Sequence, residues 1–191
     1  MKQGKAMIGR VKLLVLALVT MLAASTTAYA QFDVLPEIRG GVFARGVTDG
    51  DGGLFDGGRI EDANIELLFA VPALDLALLG EFRPHLGGTL NTVGRESLLY
   101  GGLSYTFHVP VLPVFVEASL GAALQNGSLL EAGTPQRFGC AALLRASGSL
   151  GVDVLPGASV MLTAEHLTDG GMCGVANDGL TNVGVRVGFR F

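Results

Sequence analysis

Apolar and polar residues alternate with a period of two through most of the chain after residue 30. The pattern is clearest from Val183 to Phe191, where the odd positions are Val or Phe and the even positions are Gly or Arg. Successive side chains of a β-strand point to opposite faces, so each such segment predicts a strand with one apolar face and one small or charged face. We therefore predict an all-β protein.

Eight segments carry this alternation, and the connections between them differ in length. Short, mostly proline-bearing turns such as residues 72–73 alternate with longer loops rich in glycine, which is typical of outer-membrane β-barrels. The predicted fold is an eight-stranded antiparallel barrel. The predicted strands cover residues 36–46, 61–71, 74–86, 98–107, 114–124, 140–152, 159–168 and 181–191.

The two faces of the predicted strands differ in charge. Alternation places five glutamates and five arginines on the inner face, while the outer face is apolar. An eight-stranded barrel is just wide enough for side chains to fill it, so we predict a packed, polar, ion-paired interior and no pore. The alternative is a soluble β-sandwich whose charged face meets water. The predicted interior charges are Glu37, Glu66, Glu81, Glu117, Glu165, Arg39, Arg83, Arg145, Arg186 and Arg190.

Residues 1–30 have the features of a secretory signal peptide. Four basic residues precede an apolar run at 13–24, and the small-residue sequence Ala28-Tyr29-Ala30 follows it. The alternative, an uncleaved membrane anchor, requires ~20 apolar residues, more than this run contains. We predict cleavage after Ala30, which leaves residues 31–191 as a single barrel domain.

Removal of this segment changes the charge of the protein. The chain has 13 basic residues, and the loss of four leaves nine arginines against 17 acids, a formal net charge of −8. An acidic surface repels polyanions, so we exclude nucleic acid as a partner.

The only cysteines, Cys140 and Cys173, are a candidate disulfide, because an exported chain matures in an oxidising compartment. A metal site is the alternative for these two residues. They form no CxxC pair and only three histidines accompany them, which is not a zinc ligand set. We predict no metal and no other cofactor.

The strongest candidate for a catalytic residue is a polar side chain on the predicted outer face. His166 lies on the face that meets lipid, where an ionisable side chain is costly and marks a functional site. The alternative is an interfacial residue at headgroup level. Thr168 shares this face, and Thr181 begins the next strand. A hydroxyl, an imidazole and a further hydrogen-bonding group on adjacent strands are a candidate nucleophile, base and orienter.

These residues also carry a resemblance. The sequence AEHLTDGG at 164–171, with NDGL at 177–180 and RVGFRF at 186–191, resembles the C-terminal signature of the lipid A 3-O-deacylase family, which are outer-membrane β-barrel esterases. The likeness extends over nearly all of residues 31–191. It implies a location in the cell outer membrane, lipid A of lipopolysaccharide as the partner, and hydrolysis of an ester-linked acyl chain.

The family's catalytic strand carries His-x-Ser-Asn, followed by an acid at the start of the next strand. The resemblance assigns the base to His166, the nucleophile to Thr168 and the acid position to Thr181. It assigns the oxyanion donors to the backbone amides of Gly170 and Gly171.

Three positions depart from that pattern, because threonine replaces the serine, Asp169 replaces the asparagine, and Thr181 replaces the acid. The β-branch of Thr168 restricts χ1, and a missing orienting acid costs up to ~10⁴-fold in a triad. Asp178 is a further candidate for the acid, its alternative being an ordinary turn residue. Two hypotheses stay open: a lipopolysaccharide ester hydrolase, and a catalytically lapsed barrel with a structural or lipid-contacting role.

Overall fold

The strands close into a barrel. The computed structural model describes residues 37–47, 57–71, 80–127, 138, 140–173 and 179–191. Each strand pairs antiparallel with its sequence neighbours, and β1 pairs with β8 to complete the ring. This confirms the all-β, eight-stranded prediction over the soluble sandwich. The strands are β1 Glu37–Ala44, β2 Ile60–Leu68, β3 Glu81–Asn91, β4 Leu98–His108, β5 Val114–Gln125, β6 Ala142–Leu155, β7 Ala158–Thr168 and β8 Leu180–Arg190.

Helical structure is scarce in the described residues. One turn of 3-10 helix, Gly57–Arg59, precedes β2. Within the described part of the chain no helix has the length and apolar character needed to cross a membrane. The predicted signal peptide at residues 1–30 lies outside the described residues and stays a prediction.

Seven of the eight predicted strands match the structure to within three residues at either end, and the third is predicted to end five residues too early. The sequence pattern predicts it at 74–86, whereas the described strand, Glu81–Asn91, continues beyond Leu86. The turn predicted at 72–73 and the first part of the predicted third strand, residues 74–79, lie outside the described residues and stay predictions.

The physical reason for the early predicted end is the pair of glycines at 87 and 88, which resemble a loop in the sequence but lie inside β3. A Cβ atom on Gly87 would lie 2.5 Å from the ring carbon Cζ of Tyr100 and 2.8 Å from the carbonyl oxygen of Ile65. Glycine is required at this position by the close approach of a neighbouring aromatic ring. A tertiary contact of this kind leaves no trace in local sequence.

Alternation of exposure along the strands confirms the predicted facing. In β5, Val116, Leu120 and Leu124 are exposed on the outside, whereas Glu117 and Ser119 are buried inside. The same pattern runs around the barrel and produces an apolar outer wall, as lipid contact requires.

Ion pairs fill the middle of the barrel. Arg39 donates to both carboxylate oxygens of Glu117, at 2.6 and 2.9 Å, and to Glu37 at 2.5 Å. Arg186 donates to Glu66 at 2.8 Å. All five side chains are almost fully buried, so each charge depends on its partners for the hydrogen bonds that water would otherwise supply.

A second group of pairs lies nearer the end from which β8 starts. Arg145 contacts Glu165 at 2.8 Å and lies 3.9 Å above the ring centre of Tyr100. Asn182 donates to Glu165 at 3.0 Å. Buried apolar residues adjoin this group: Leu98, Ala123, Phe138, Leu143, Leu167 and Leu180.

The predicted interior charges are confirmed as a packed network, with two of them at its edge. Glu81 and Arg190 lie at the opposite end of the barrel, where their side chains remain 31% and 43% exposed. They still contact each other at 3.7 Å, and Arg190 contacts Glu37 at 3.2 Å. The other eight charges are buried.

We expect the central and peripheral arginines to differ strongly in their effect on stability. Arg39→Met leaves the buried carboxylates of Glu37 and Glu117 short of a partner, and should lower the free energy of unfolding by about 3–5 kcal/mol. Arg190→Met, a matched change at the exposed edge, should cost less than about 1 kcal/mol. Urea unfolding in lipid vesicles, followed by the heat-modifiable gel shift, measures both. Equal losses for the two variants would contradict a central role for Arg39.

Candidate functional site

The predicted base and orienter positions are brought together on the outer wall. His166 in β7 lies directly opposite Thr181 in β8. Nδ1 of His166 and Oγ1 of Thr181 are 2.9 Å apart and form a hydrogen bond. Both side chains face outward, His166 exposed and Thr181 half-buried. The strand register therefore places the Thr181 hydroxyl beside the imidazole. This is the position where the resemblance expects an acid.

Polar side chains are rare on this wall. Among the described strand residues, outward positions are occupied by apolar side chains or glycine, apart from Glu61, Tyr105 and three residues near the β7–β8 connection. Those three are His166, Thr168 and Thr181, which we call the outward polar patch. Polar side chains on a lipid-facing surface are energetically unfavourable, so a cluster of them indicates a functional site.

Thr168 is near the imidazole in sequence but is engaged elsewhere. Its Oγ1 accepts a hydrogen bond from the backbone amide of Gly170 at 3.1 Å. No hydrogen bond joins Thr168 to His166 among the residues that the structure describes. A threonine hydroxyl has one proton to donate and two lone pairs, so the bond from Gly170 leaves its proton free.

The turn after β7 contains the two glycines predicted as oxyanion donors. Gly170 and Gly171 have positive φ values of 62° and 77°, which favour glycine. The Gly170 amide donates to Thr168, and the Gly171 amide donates to Oδ1 of Asp169 at 2.9 Å. Both amides are thus used within the turn. Their role as oxyanion donors stays a prediction.

Asp169, which stands where the family has asparagine, faces the opposite way from the outward polar patch. Its side chain is only 1% exposed and follows the inward alternation of Glu165 and Leu167. Besides accepting the Gly171 amide, it accepts the Met172 amide through its carbonyl oxygen at 3.2 Å. Asp169 therefore organises the turn from inside, and its charge does not point at the patch.

Cys140 and Cys173 form a disulfide with a Cα–Cα distance of 5.9 Å. It joins the segment before β6 to the turn that carries Gly170 and Gly171. A carboxylate oxygen of Asp169 lies within 4.8 Å of both sulfur atoms. The sulfur–sulfur bond uses the thiols that a metal would need, so this group does not form a metal site as it stands.

One residue behind the patch, Asn182, is absent from the predictions made from the sequence. It pairs with the predicted interior residue Glu165 in the adjacent rung of the β7–β8 ladder and donates to it at 3.0 Å on the inner face. Asn182 also accepts the Gly46 amide at 3.2 Å. The hydrogen bond to Glu165 adds a side-chain link between the two strands next to the His166–Thr181 pair. The inward alternation of Asn182 is the signal that could have found it. Asp178 lies outside the described residues and stays a prediction.

Comparisons with known proteins show which family and fold this chain resembles. The sequence model of the family described as lipid A 3-O-deacylase (PagL) matches residues 75–190, which include β3 to β8. A search by sequence finds no matching curated protein. Among solved structures, the outer membrane enzyme PagL is similar with a TM-score of 0.55 and 17% identity, over 81% of this chain and 99% of that one. Neisserial surface protein A has a TM-score of 0.48 and 13% identity, over 82% and 96%.

At 17% identity the structural likeness establishes the fold alone, whereas the family match covers more than half of the sequence. Fold and match agree on an eight-stranded barrel of the outer membrane. On this basis the chain belongs to the lipid A 3-O-deacylase (PagL) family of outer-membrane β-barrels.

Proposed function

We propose that this protein hydrolyses an ester-linked acyl chain of lipopolysaccharide, with His166 as general base and Thr168 as nucleophile. The observation that carries the proposal is the hydrogen bond between His166 and Thr181 on the lipid-facing wall. An ester bond near the headgroups of the outer leaflet would reach this patch sideways through the membrane. Within the described strands, the interior of the barrel is filled by buried side chains.

The proposed chemistry begins with the tautomer of His166. A neutral imidazole donates from one nitrogen and accepts at the other. When Nδ1–H donates to Thr181, Nε2 keeps a lone pair that takes the proton of Thr168 as its oxygen attacks the ester carbonyl. The imidazolium then protonates the leaving sugar oxygen as the acyl C–O bond breaks, which gives a free sugar hydroxyl and an acyl-threonine ester. Water, activated by the same base, hydrolyses the acyl-threonine ester and releases a fatty acid.

Thr181 orients His166 less firmly than an acid would. Its hydroxyl can donate or accept, so it does not impose one tautomer, and it carries no charge to stabilise the imidazolium. The methyl group of Thr168 further restricts the approach of the nucleophile. The proposed enzyme is therefore slow.

A second candidate function, a catalytically lapsed barrel with a structural or lipid-contacting role, is favoured by one specific observation. The Gly170 and Gly171 amides are taken by Thr168 and Asp169, so the turn would have to rearrange before stabilising an oxyanion. The variants below separate the two candidates.

We expect expression of the protein to add partially deacylated species to the lipid A of the host cell, and His166→Ala to remove them. Loss of a general base lowers the rate by about 10²–10⁴-fold. His108→Ala is the matched control, because His108 lies at the far end of β4 and faces inward. Mass spectrometry of extracted lipid A provides the readout. An acyl pattern that expression does not change would refute the hydrolase proposal and support the lapsed barrel.

Two substitutions of Thr168 separate the effect of its methyl group on the deacylation rate from the effect of its hydroxyl. Thr168→Ser keeps the hydroxyl and removes the methyl group that restricts χ1, so we expect faster deacylation. Thr168→Val keeps the shape and removes the hydroxyl, so we expect none. Initial rates on lipid A in mixed micelles test both. A Val variant as active as the parent would exclude Thr168 as the nucleophile.

Thr181→Glu should restore the charge that the family carries beside its base. We expect the rate to rise by up to ~10⁴-fold, the amount that loss of the orienting acid costs in a related triad. Thr181→Gln has the same shape without the charge and is the control. The same rate assay applies, and equal rates for the two variants would show that charge at position 181 does not act on His166.

A further inference from the structure

We infer that Gly179 is a positioning residue for His166, because the absence of a side chain at this position keeps the imidazole in place. Gly179 directly precedes β8, is buried, and lies beside the edge of the ring. The inference deepens the proposed function and rests on it, since positioning matters for chemistry only if His166 is the base.

The space next to the ring is too small for a Cβ atom unless a neighbouring group moves. A Cβ atom on Gly179 would lie 2.7 Å from Cε1 and 2.9 Å from Nε2 of His166. Non-bonded carbon contacts are most favourable at about 3.5–4.0 Å, so both distances are clashes. Nε2, one of the two ring atoms affected, is the proposed acceptor of the Thr168 proton.

The backbone adds a second requirement. Gly179 has a φ of 68°, in the left-handed region that glycine tolerates best. The same hypothetical Cβ would lie 2.9 Å from the carbonyl oxygen of Leu167. That oxygen belongs to β7 and is held by the sheet, whereas the imidazole is the end of a rotatable side chain. The ring is therefore the group that moves.

Movement of the ring would disturb both of its nitrogens. It would stretch the 2.9 Å hydrogen bond between Nδ1 and Thr181, and it would displace Nε2, the proposed proton acceptor. Misplacement of a reacting group by about 1 Å costs roughly 10²-fold in rate. A substitution at Gly179 thus displaces the imidazole of His166 without any contact between residue 179 and the substrate.

The chain offers a matched control for the backbone requirement. Gly94, between β3 and β4, has a φ of 88°, and a Cβ atom added there would have no neighbour within 4 Å. Gly94→Ala therefore carries the same kind of backbone strain without a clash. Gly179 is the described glycine at which the atom nearest to an added Cβ belongs to an imidazole ring.

The experiment compares Gly179→Ala with Gly94→Ala in the full-length barrel. The chain has three histidines, so ring-labelled histidine gives three imidazole signals by NMR, which single His→Ala variants assign. We expect Gly179→Ala to shift the His166 signals and leave those of His85 and His108 unchanged. Gly94→Ala should shift none of the three. The deacylation rate should fall by about 10²-fold in Gly179→Ala, mainly in kcat.

A stability cycle keeps the inference testable if Gly179→Ala folds poorly. The loss of stability caused by Gly179→Ala is measured in the parent and in His166→Ala, where the ring is absent. We expect a smaller shift of the urea midpoint in His166→Ala, because the clash with the ring is gone while the backbone strain remains. Equal shifts in the two backgrounds would overturn the inference.

The results separate this inference from the proposed function. If no variant deacylates lipid A but Gly179→Ala shifts the His166 signals and the cycle shows coupling, the hydrolase proposal fails and the positioning stands. If deacylation requires His166 while Gly179→Ala alters neither its signals nor the rate, the positioning fails and the hydrolase proposal stands.

Discussion

Closure of β1 onto β8 is the constraint on which the rest of the structure depends. Lipid offers no hydrogen bonds, so every backbone amide and carbonyl within the membrane must be paired inside the protein. Eight strands satisfy this by forming a ring, which leaves an interior that only side chains can fill. The burial of Arg39, Glu117 and Arg186 follows from the closure, as does the apolar outer wall against which His166 stands out.

Much of this architecture is predictable from the sequence because closure imposes a strict alternation on each strand. In segments such as 183–191, alternation alone determines the facing of Arg186 and the neighbouring valines. The third strand is predicted to end too early for a physical reason. Gly87 and Gly88 have the composition of a loop, yet the Tyr100 ring occupies the space that a side chain at Gly87 would need. Contacts between strands distant in sequence are invisible to a local pattern.

Some features of the candidate site are likewise predictable from the sequence, and others are not. Alternation is enough to place His166, Thr168 and Thr181 on one face, and the pairing of consecutive strands then sets His166 beside Thr181. The hydrogen bonding of Thr168 and Asp169 depends on how the turn at 169–172 folds, which alternation does not describe. The role of Gly179 depends on the return of the chain past the imidazole ring, a three-dimensional contact that no sequence pattern encodes.

The outward placement of His166 also determines the medium in which any ligand is encountered. A ligand of this wall arrives by diffusion in the plane of the leaflet, so its relevant concentration is a mole fraction of membrane lipid and not a molarity in water. Crowding of the leaflet, chain packing and the depth of the ligand's headgroup then govern how often it meets the imidazole. The surrounding bilayer is in this sense a part of the binding site that the polypeptide does not encode.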